Sequence, residues 1–236
     1  MDARPRVLVT GASRGIGLEY ARQWLAAGAR VFALARDPEG SEGLMALASR
    51  NPDAVVPVRC DVAEDASVAE ARRRVGEQTD GLEILINNAG VMGSHEDLAT
   101  LDLGLVRRTF EVNAVGPTRV TRAFLDLLRA GDRPRRIVNM TSLMGSIDDN
   151  RSGDAYAYRM SKAALNMATR SMAVDLKGDG IVAVVLHPGW VQTDMGGRSA
   201  RTPVDEAVEA LVRTIQSLDA DRSGGFYDRD GQPLPW

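Results

Sequence analysis

Apolar residues gather along the chain in short runs that do not alternate with polar ones: Val7-Leu8-Val9, Val31-Phe32-Ala33-Leu34, Val55-Val56-Pro57-Val58, Leu82-Glu83-Ile84-Leu85-Ile86, Arg136-Ile137-Val138-Asn139 and Ile181-Val182-Ala183-Val184-Val185-Leu186. A strand with one wet face alternates; a run that stays apolar at successive positions reads as a parallel strand covered on both faces. Between these runs the pattern predicts helices at about 15–27, 41–50, 64–78, 102–129, 155–177 and 203–218. Regular alternation of strand and helix specifies right-handed crossovers, and so an α/β fold. Gly225-Phe226-Tyr227 adds a seventh short strand. The expected architecture is a single domain over 1–236, a doubly wound parallel sheet of about seven strands flanked by helices. No repeat or linker interrupts it, and the glycine-rich stretch 193–203 sits inside the domain, where it predicts a lid over a site.

Composition narrows the partners. The 236 residues suffice for one large domain, and 44% apolar residues, 26% charged residues and a net charge of -3 match ordinary globular proteins. Without polycationic character, nucleic acid is not an expected partner. No apolar run approaches the roughly 18 residues that span a bilayer, and Met1-Asp2-Ala3-Arg4-Pro5 leads straight into the first strand-like run, so a cytoplasmic protein with no membrane contact is expected. Cys60 has no second cysteine to pair with, and with His95 and His187 as its company it predicts no metal cluster. Cys60 reads as a small buried packing residue, His187 as a satisfied core residue and His95 as a loop residue.

The chemistry begins after the first strand, at Thr10-Gly11-Ala12-Ser13-Arg14-Gly15-Ile16-Gly17, which opens a helical pattern. Glycines permit a tight turn, and unpartnered amides at a helix start hold a pyrophosphate, so the segment predicts a Rossmann-like dinucleotide site. The same glycines also suit a plain packed turn. The second strand ends in Ala33-Leu34-Ala35-Arg36-Asp37, where such folds meet an adenosine ribose. A guanidinium there pairs with a 2′-phosphate, and a carboxylate with a free 2′-hydroxyl. Arg36 in the first loop position, with Arg14 as a second cation, favours NADP(H) over NAD(H); Asp37 would serve NAD(H) if the strand ran one residue further.

Tyr158 and Lys162 lie four apart in a predicted helix and so share a face about one turn apart. A cation beside a phenol stabilises the phenolate, which would make Tyr158 a proton donor and acceptor near neutral pH. Tyr156 lies about 240° round the helix from Lys162 and diverges from it. Ser142 and its neighbour Thr141 follow the fifth strand, at the sheet end where ligands of open α/β sheets sit. Asn113 falls inside an apolar helical pattern, and Gly116-Pro117 should disturb the ladder just after it, so its amide meets a water or a freed backbone group.

Thr10 to Gly17, Asn87-Asn88-Ala89-Gly90 after the fourth strand, Asn113, Ser142 and the Tyr158 and Lys162 pair follow one another over almost the whole chain. In that order the sequence resembles the short-chain dehydrogenase/reductase family in its single-domain form. Tyr156 to Asn166, Leu186 to Gly197 and Asp230 to Trp236 resemble its C-factor and sniffer-type carbonyl reductase branch. The resemblance implies an oxidoreductase that passes a hydride between NADP(H) and a small carbonyl compound or alcohol, without a metal. It selects Ser142 over Thr141 as partner of the carbonyl oxygen and makes Tyr158 the acid and base. Lys162 would hold the nicotinamide ribose and lower the pKa of Tyr158, and Asn113 would organise a proton relay.

By the same resemblance Gly11, Ser13, Arg14, Gly15, Ile16 and Gly17 form the phosphate turn. Asp61 and Val62 flank adenine, and Asn87, Ala89 and Gly90 line the cofactor's path. Pro188, Gly189, Val191 and Thr193 lie at the nicotinamide end, with Thr193 on the carboxamide. Met92, Met144, Trp190 and Met195 follow motif segments and would wall an apolar substrate pocket. A homodimer or homotetramer through the helices at about 102–129 and 155–177 is implied. C-factor relatives carry a developmental signalling role, so a dinucleotide-binding protein with slow or incidental catalysis is the rival reading, and an epimerase or dehydratase on the same scaffold a third.

Overall fold

The computed structural model describes residues 4–94 and 96–236, which leaves His95 and its expected loop outside the described residues. Seven strands form among the described residues: β1 (Arg6–Thr10), β2 (Arg30–Ala35), β3 (Val55–Arg59), β4 (Ile84–Asn87), β5 (Arg135–Met140), β6 (Ile181–His187) and β7 (Phe226–Asp228). They make one sheet in the order β3-β2-β1-β4-β5-β6-β7, with neighbouring strands parallel. The helices are α1 (Gly15–Ala26), α2 (Glu42–Arg50), α3 (Asp65–Gly76), α4 (Leu103–Phe110), α5 (Gly116–Ala130), α6 (Tyr156–Asp175) and α7 (Val204–Ser217).

The uninterrupted apolar runs are explained by what covers each face. Val7, Val9, Ile84, Ile86 and Val184 pack with Tyr20 and Trp24 of α1 and Leu211 of α7. Their chain neighbours Leu8, Leu85 and Ala183 point the other way, to Val68 of α3 and to Val120 and Phe124 of α5. Successive strand residues face opposite sides, so a sheet buried twice needs apolar residues at both parities. The strand order reverses between β1 and β4, and the loops leaving those two strands part there to open a crevice.

The long helix expected at about 102–129 is interrupted. Glu111–Val115 forms a π turn between α4 and α5, in which the Gly116 amide donates to the Glu111 carbonyl five residues back. Pro117 has no N–H to offer the carbonyl of Asn113, so the α-helical ladder fails at this point. Among the described residues no helix is long and apolar enough to cross a membrane.

Candidate active site

The crevice above β1 and β4 is a cavity of about 810 Å³ that runs from the glycine turn to Tyr158 and Lys162. The Thr10 hydroxyl builds its floor by accepting from the amides of Asn88 at 3.0 Å and Ala89 at 3.1 Å, which ties the end of β1 to the end of β4. Gly11 has φ +67°, and a Cβ there would stand 2.8 Å from the Ala89 Cα. At Gly17 a Cβ would meet the Gly11 carbonyl oxygen at 2.1 Å. These two glycines are required by the close approach of backbone to backbone, whatever the turn holds. Among the described residues no side chain caps the start of α1, whose first residues Gly15, Ile16 and Gly17 line the cavity.

β2 ends at Ala35, which puts Arg36 first in the loop, exposed and on the cavity wall. The Asp37 carboxylate is turned to its own chain, where its Oδ1 accepts from the Gly40 amide at 3.1 Å. Asp61 does the same with the Ala63 amide at 3.0 Å. The Val62 carbonyl accepts from Arg119 at 2.7 Å, and Arg119 also pairs with Glu111 of the π turn at 2.5 Å. One guanidinium thus joins the Val62 end of the cavity to the segment that carries Asn113.

At the other end Tyr158 and Lys162 are buried on one face of α6. The ammonium of Lys162 stands 5.6 Å from the Tyr158 ring centroid and donates to the Met140 carbonyl at 2.8 Å. Burial lowers the Lys162 pKa from 10.5 to about 8. Burial also raises that of Tyr158, against which a hydrogen bond with Ser142 works. Burial thus sets the net shift of both groups, so the Tyr158 phenol stands above its ordinary value and not below it as expected: desolvation disfavours both charged forms, and the Ser142 contact opposes it at Tyr158. Thr141 is spoken for, since its hydroxyl donates to Asn166 Oδ1 at 2.7 Å.

Asn113 is fully buried. Its Nδ2 donates to the Val91 carbonyl at 2.8 Å and to the Ser161 hydroxyl at 3.0 Å, while its Oδ1 accepts from the Val91 amide at 2.9 Å. The amide so meets the backbone of Val91 in the loop after β4, where a water or a carbonyl freed in the helix ladder was expected. Gly90 lies beside it: a Cβ there would be 3.3 Å from Asn113 Oδ1 and 3.6 Å from Lys162 Nζ. Asn113 holds the strip of chain next to the lysine in place.

A family model, short chain dehydrogenase, matches residues 5–203. The chain belongs to the short-chain dehydrogenase family. Over 158 residues it is 52% identical to the C-signal protein of Myxococcus xanthus, an alignment that takes in 67% of this chain and 95% of that one. Among solved structures it is similar to the NADPH-bound carbonyl reductase from chicken fatty liver, with a TM-score of 0.93 and 37% identity over 99% of this chain and 100% of that one. It is also similar to the carbonyl reductase Sniffer of D. melanogaster, at 0.94 and 34% over the same shares. As a short-chain dehydrogenase the protein is an oxidoreductase.

In this short-chain dehydrogenase the cavity wall includes Gly11, Ser13, Arg14, Gly15, Ile16, Gly17, Arg36, Asp61, Val62, Ala89, Gly90, Tyr158, Lys162, Pro188 and Thr193. Three residues expected there are placed elsewhere. Asn87 faces the core, where its Nδ2 donates to Asn139 at 2.8 Å and Thr121 at 3.1 Å, and its neighbour Asn88 lines the cavity instead. Gly189 lies on a second cavity of about 400 Å³, and Val191 is buried in a bridge to Thr202. Of the four residues expected to wall an apolar pocket, Met195 lines the main cavity and Trp190 the second one; Met92 and Met144 line neither. His187 is not a satisfied core residue. It is half-buried at the second cavity, its Nδ1 has no partner among the described residues, and burial lowers its pKa to about 4.

Other contributors carry weaker sequence signals. Cys60 lines the main cavity while 3% exposed, and burial pushes its thiol up to about 12. Asp194 pairs with Arg14 at 2.7 Å across the cavity mouth. Asp154 and Ala155, at φ 54° and 46°, enter α6 in the left-handed region, a conformation costing about 1–3 kcal/mol per residue. Arg159 spans that entry by donating to the carbonyls of Gly153 at 2.9 Å and Asp154 at 3.2 Å.

Proposed function

We propose that this short-chain dehydrogenase reduces a small carbonyl compound to an alcohol, or runs the reverse, with NADP(H) in preference to NAD(H). The observation that carries the reading is that Tyr158, with Ser142 against it, and Lys162 stand at one end of a cavity whose other end is a glycine turn with uncapped helix amides; Tyr158 and Lys162 line the cavity and Ser142 reaches it through Tyr158. That cradle fits a dinucleotide: the amides of Gly15, Ile16 and Gly17 suit its pyrophosphate, Arg36 a 2′-phosphate, and Asp61 and Val62 an adenine edge. The NADPH named for the chicken carbonyl reductase supports the same choice. When bound, the nicotinamide supplies the hydride that reduces the carbonyl carbon.

The chain's own residues handle the proton. Tyr158 is buried and its phenol is held neutral, so it donates its proton to the carbonyl oxygen as negative charge develops there. The Ser142 hydroxyl, whose contact with Tyr158 works against the effect of burial, shares that oxygen and fixes its position. Lys162 in its charged form offsets the phenolate left behind, and Asn113 keeps Val91 and Gly90 from closing on the lysine. The stretch 193–203 acts as the lid: a Cβ on Gly15 would touch Thr193 at 3.3 Å, and the Arg14–Asp194 pair fastens the two sides. Self-association as a homodimer or homotetramer is supported by Met160, Met167 and Val174, exposed at seven-residue intervals along α6.

Nicotinamide absorbance followed against benzaldehyde, butanal, cyclohexanone and menadione tests the reading. Turnover with NADPH that is lost in Tyr158→Phe, with NADPH affinity retained and Tyr156→Phe close to wild type, is the expected result; full activity in Tyr158→Phe would overturn it. A second reading, a C-signal-like role with incidental catalysis, is supported by the 52% identity to that protein. Tight NADPH binding without turnover on any of the carbonyls would favour it.

A further inference from the structure

We infer that Asn166 is a positioning residue, which sets Ser142 against Tyr158 and acts on the reaction through that serine. The inference rests on the catalytic reading above. Asn166 follows Lys162 by four residues and Tyr158 by eight on α6, so the three side chains leave the same side of the helix. It is 4% exposed. Its Oδ1 accepts from the Thr141 hydroxyl at 2.7 Å, and its Nδ2 donates to the Gly145 carbonyl at 3.2 Å. Those two partners bracket Ser142, one residue before it and three after.

The bracketed segment has little freedom left except at this point. Ser142 Oγ accepts from the Met144 amide at 3.1 Å and so caps the short turn Leu143–Gly145. Lys162 takes the Met140 carbonyl at 2.8 Å, just upstream of Thr141. Gly145 cannot come nearer to α6, because a Cβ there would already stand 2.7 Å from Lys162 Cβ. What remains open is a slip of the segment along the helix. Asn166 opposes it in both directions, because a carboxamide accepts with one atom and donates with the other, a pairing that neither a carboxylate nor an apolar side chain reproduces.

A fastener that served stability alone would leave catalysis untouched, and a double-mutant cycle separates the two roles. Asn166→Ala, Ser142→Ala and the double variant are compared using NADPH and the fastest carbonyl of the four above. Asn166→Ala is expected to lower kcat on the order of ten-fold with the KM for NADPH within about two-fold, since small misplacements of a reacting group are costly. In the Ser142→Ala background the same substitution should cost nothing further. A full ten-fold loss in that background, or an Asn166→Ala enzyme with wild-type kcat, overturns the inference while leaving the catalytic reading intact. Wild-type kcat in Ser142→Ala, or no turnover in the wild type, overturns both. If Asn166→Ala does not fold, Thr141→Val removes the hydroxyl from the other side, with a several-fold loss of kcat that must likewise vanish in the Ser142→Ala background.

Discussion

Lys162 carries a cost that pH can switch off. The residue is 5% exposed, and burial brings its pKa from 10.5 to about 8. Below pH 8 the folded and unfolded chains both hold this proton, and the full penalty of the buried charge is present. Between about pH 8 and 10.5 the native state has released it while the unfolded state still binds it, so stability rises with pH through that window. At about 1.4 kcal/mol per pH unit the total gain is about 3 kcal/mol, of which about 2 kcal/mol is reached by pH 9.5. Lys162→Met removes the titration while keeping most of the side-chain volume. Tyr20, Tyr158 and Cys60 are pushed upward by burial and cost stability as pH passes their ordinary values, but that loss is common to both proteins and cancels in the comparison. Urea unfolding of both proteins at steps from about pH 7 to 9.5 yields the difference directly, and any constant offset from the lost bond to Met140 drops out. Wild type should gain about 2 kcal/mol on Lys162→Met across that range. A difference that stays level would show that Lys162 is not desolvated and would remove the basis for its altered charge state.

Arg36→Ala should raise the KM for NADPH about ten-fold or more and that for NADH less than two-fold, as expected for loss of a charge-assisted contact to a 2′-phosphate; equal changes would refute the assignment. Gly17→Ala places a Cβ 2.1 Å from the Gly11 carbonyl and 2.5 Å from Asn88 Nδ2, so it should cost about 1–3 kcal/mol in urea unfolding and weaken dinucleotide binding with it. Gly178→Ala, with nothing within 4 Å and no left-handed φ, is the matched control and should be neutral or raise stability by up to about 1 kcal/mol.

The fold was legible because its signals are continuous. Apolar runs such as Ile181 to Leu186 have no polar parity, which requires two covered faces, and Gly116-Pro117 marks the place where the helix ladder yields to the π turn around Asn113. The site was legible where backbone geometry demands a residue type, as at Gly11 and Gly17. It was not legible where a single step of strand parity decides. Asn87 and Asn88 are chemically identical, and only the end of β4 determines that the first enters the core and the second meets the glycine turn. Depth of burial is also invisible in one dimension: Lys162 reads as a cation beside a phenol, whereas its pKa depends on what covers it. Asn166 had a usable signal, eight residues on from Tyr158 on the same helix side.

The order in which Lys162 and Tyr158 lose their protons sets the direction the site suits. In the proposed reaction, reduction needs Tyr158 as a neutral phenol and Lys162 charged, because the phenol would give up its proton as the carbonyl oxygen becomes an alcohol. Oxidation needs the phenolate. Burial raises the phenol and lowers the lysine to about 8, so Lys162 titrates first and the phenolate is scarce at neutral pH. Carbonyl reduction should then be level between about pH 6 and 7 and fall by about half near pH 8 as Lys162 discharges, whereas alcohol oxidation should be slow at neutral pH and climb into the alkaline range. The Ser142 hydrogen bond is the contact that counters burial at Tyr158, so Ser142→Ala should move the alkaline climb of oxidation to higher pH, beyond any loss in its maximum. Rate profiles for both directions on one alcohol and carbonyl pair decide the matter. An oxidation rate already at its plateau near pH 7, or a climb that moves to lower pH in Ser142→Ala, would mean that charge, and not desolvation, controls the phenol.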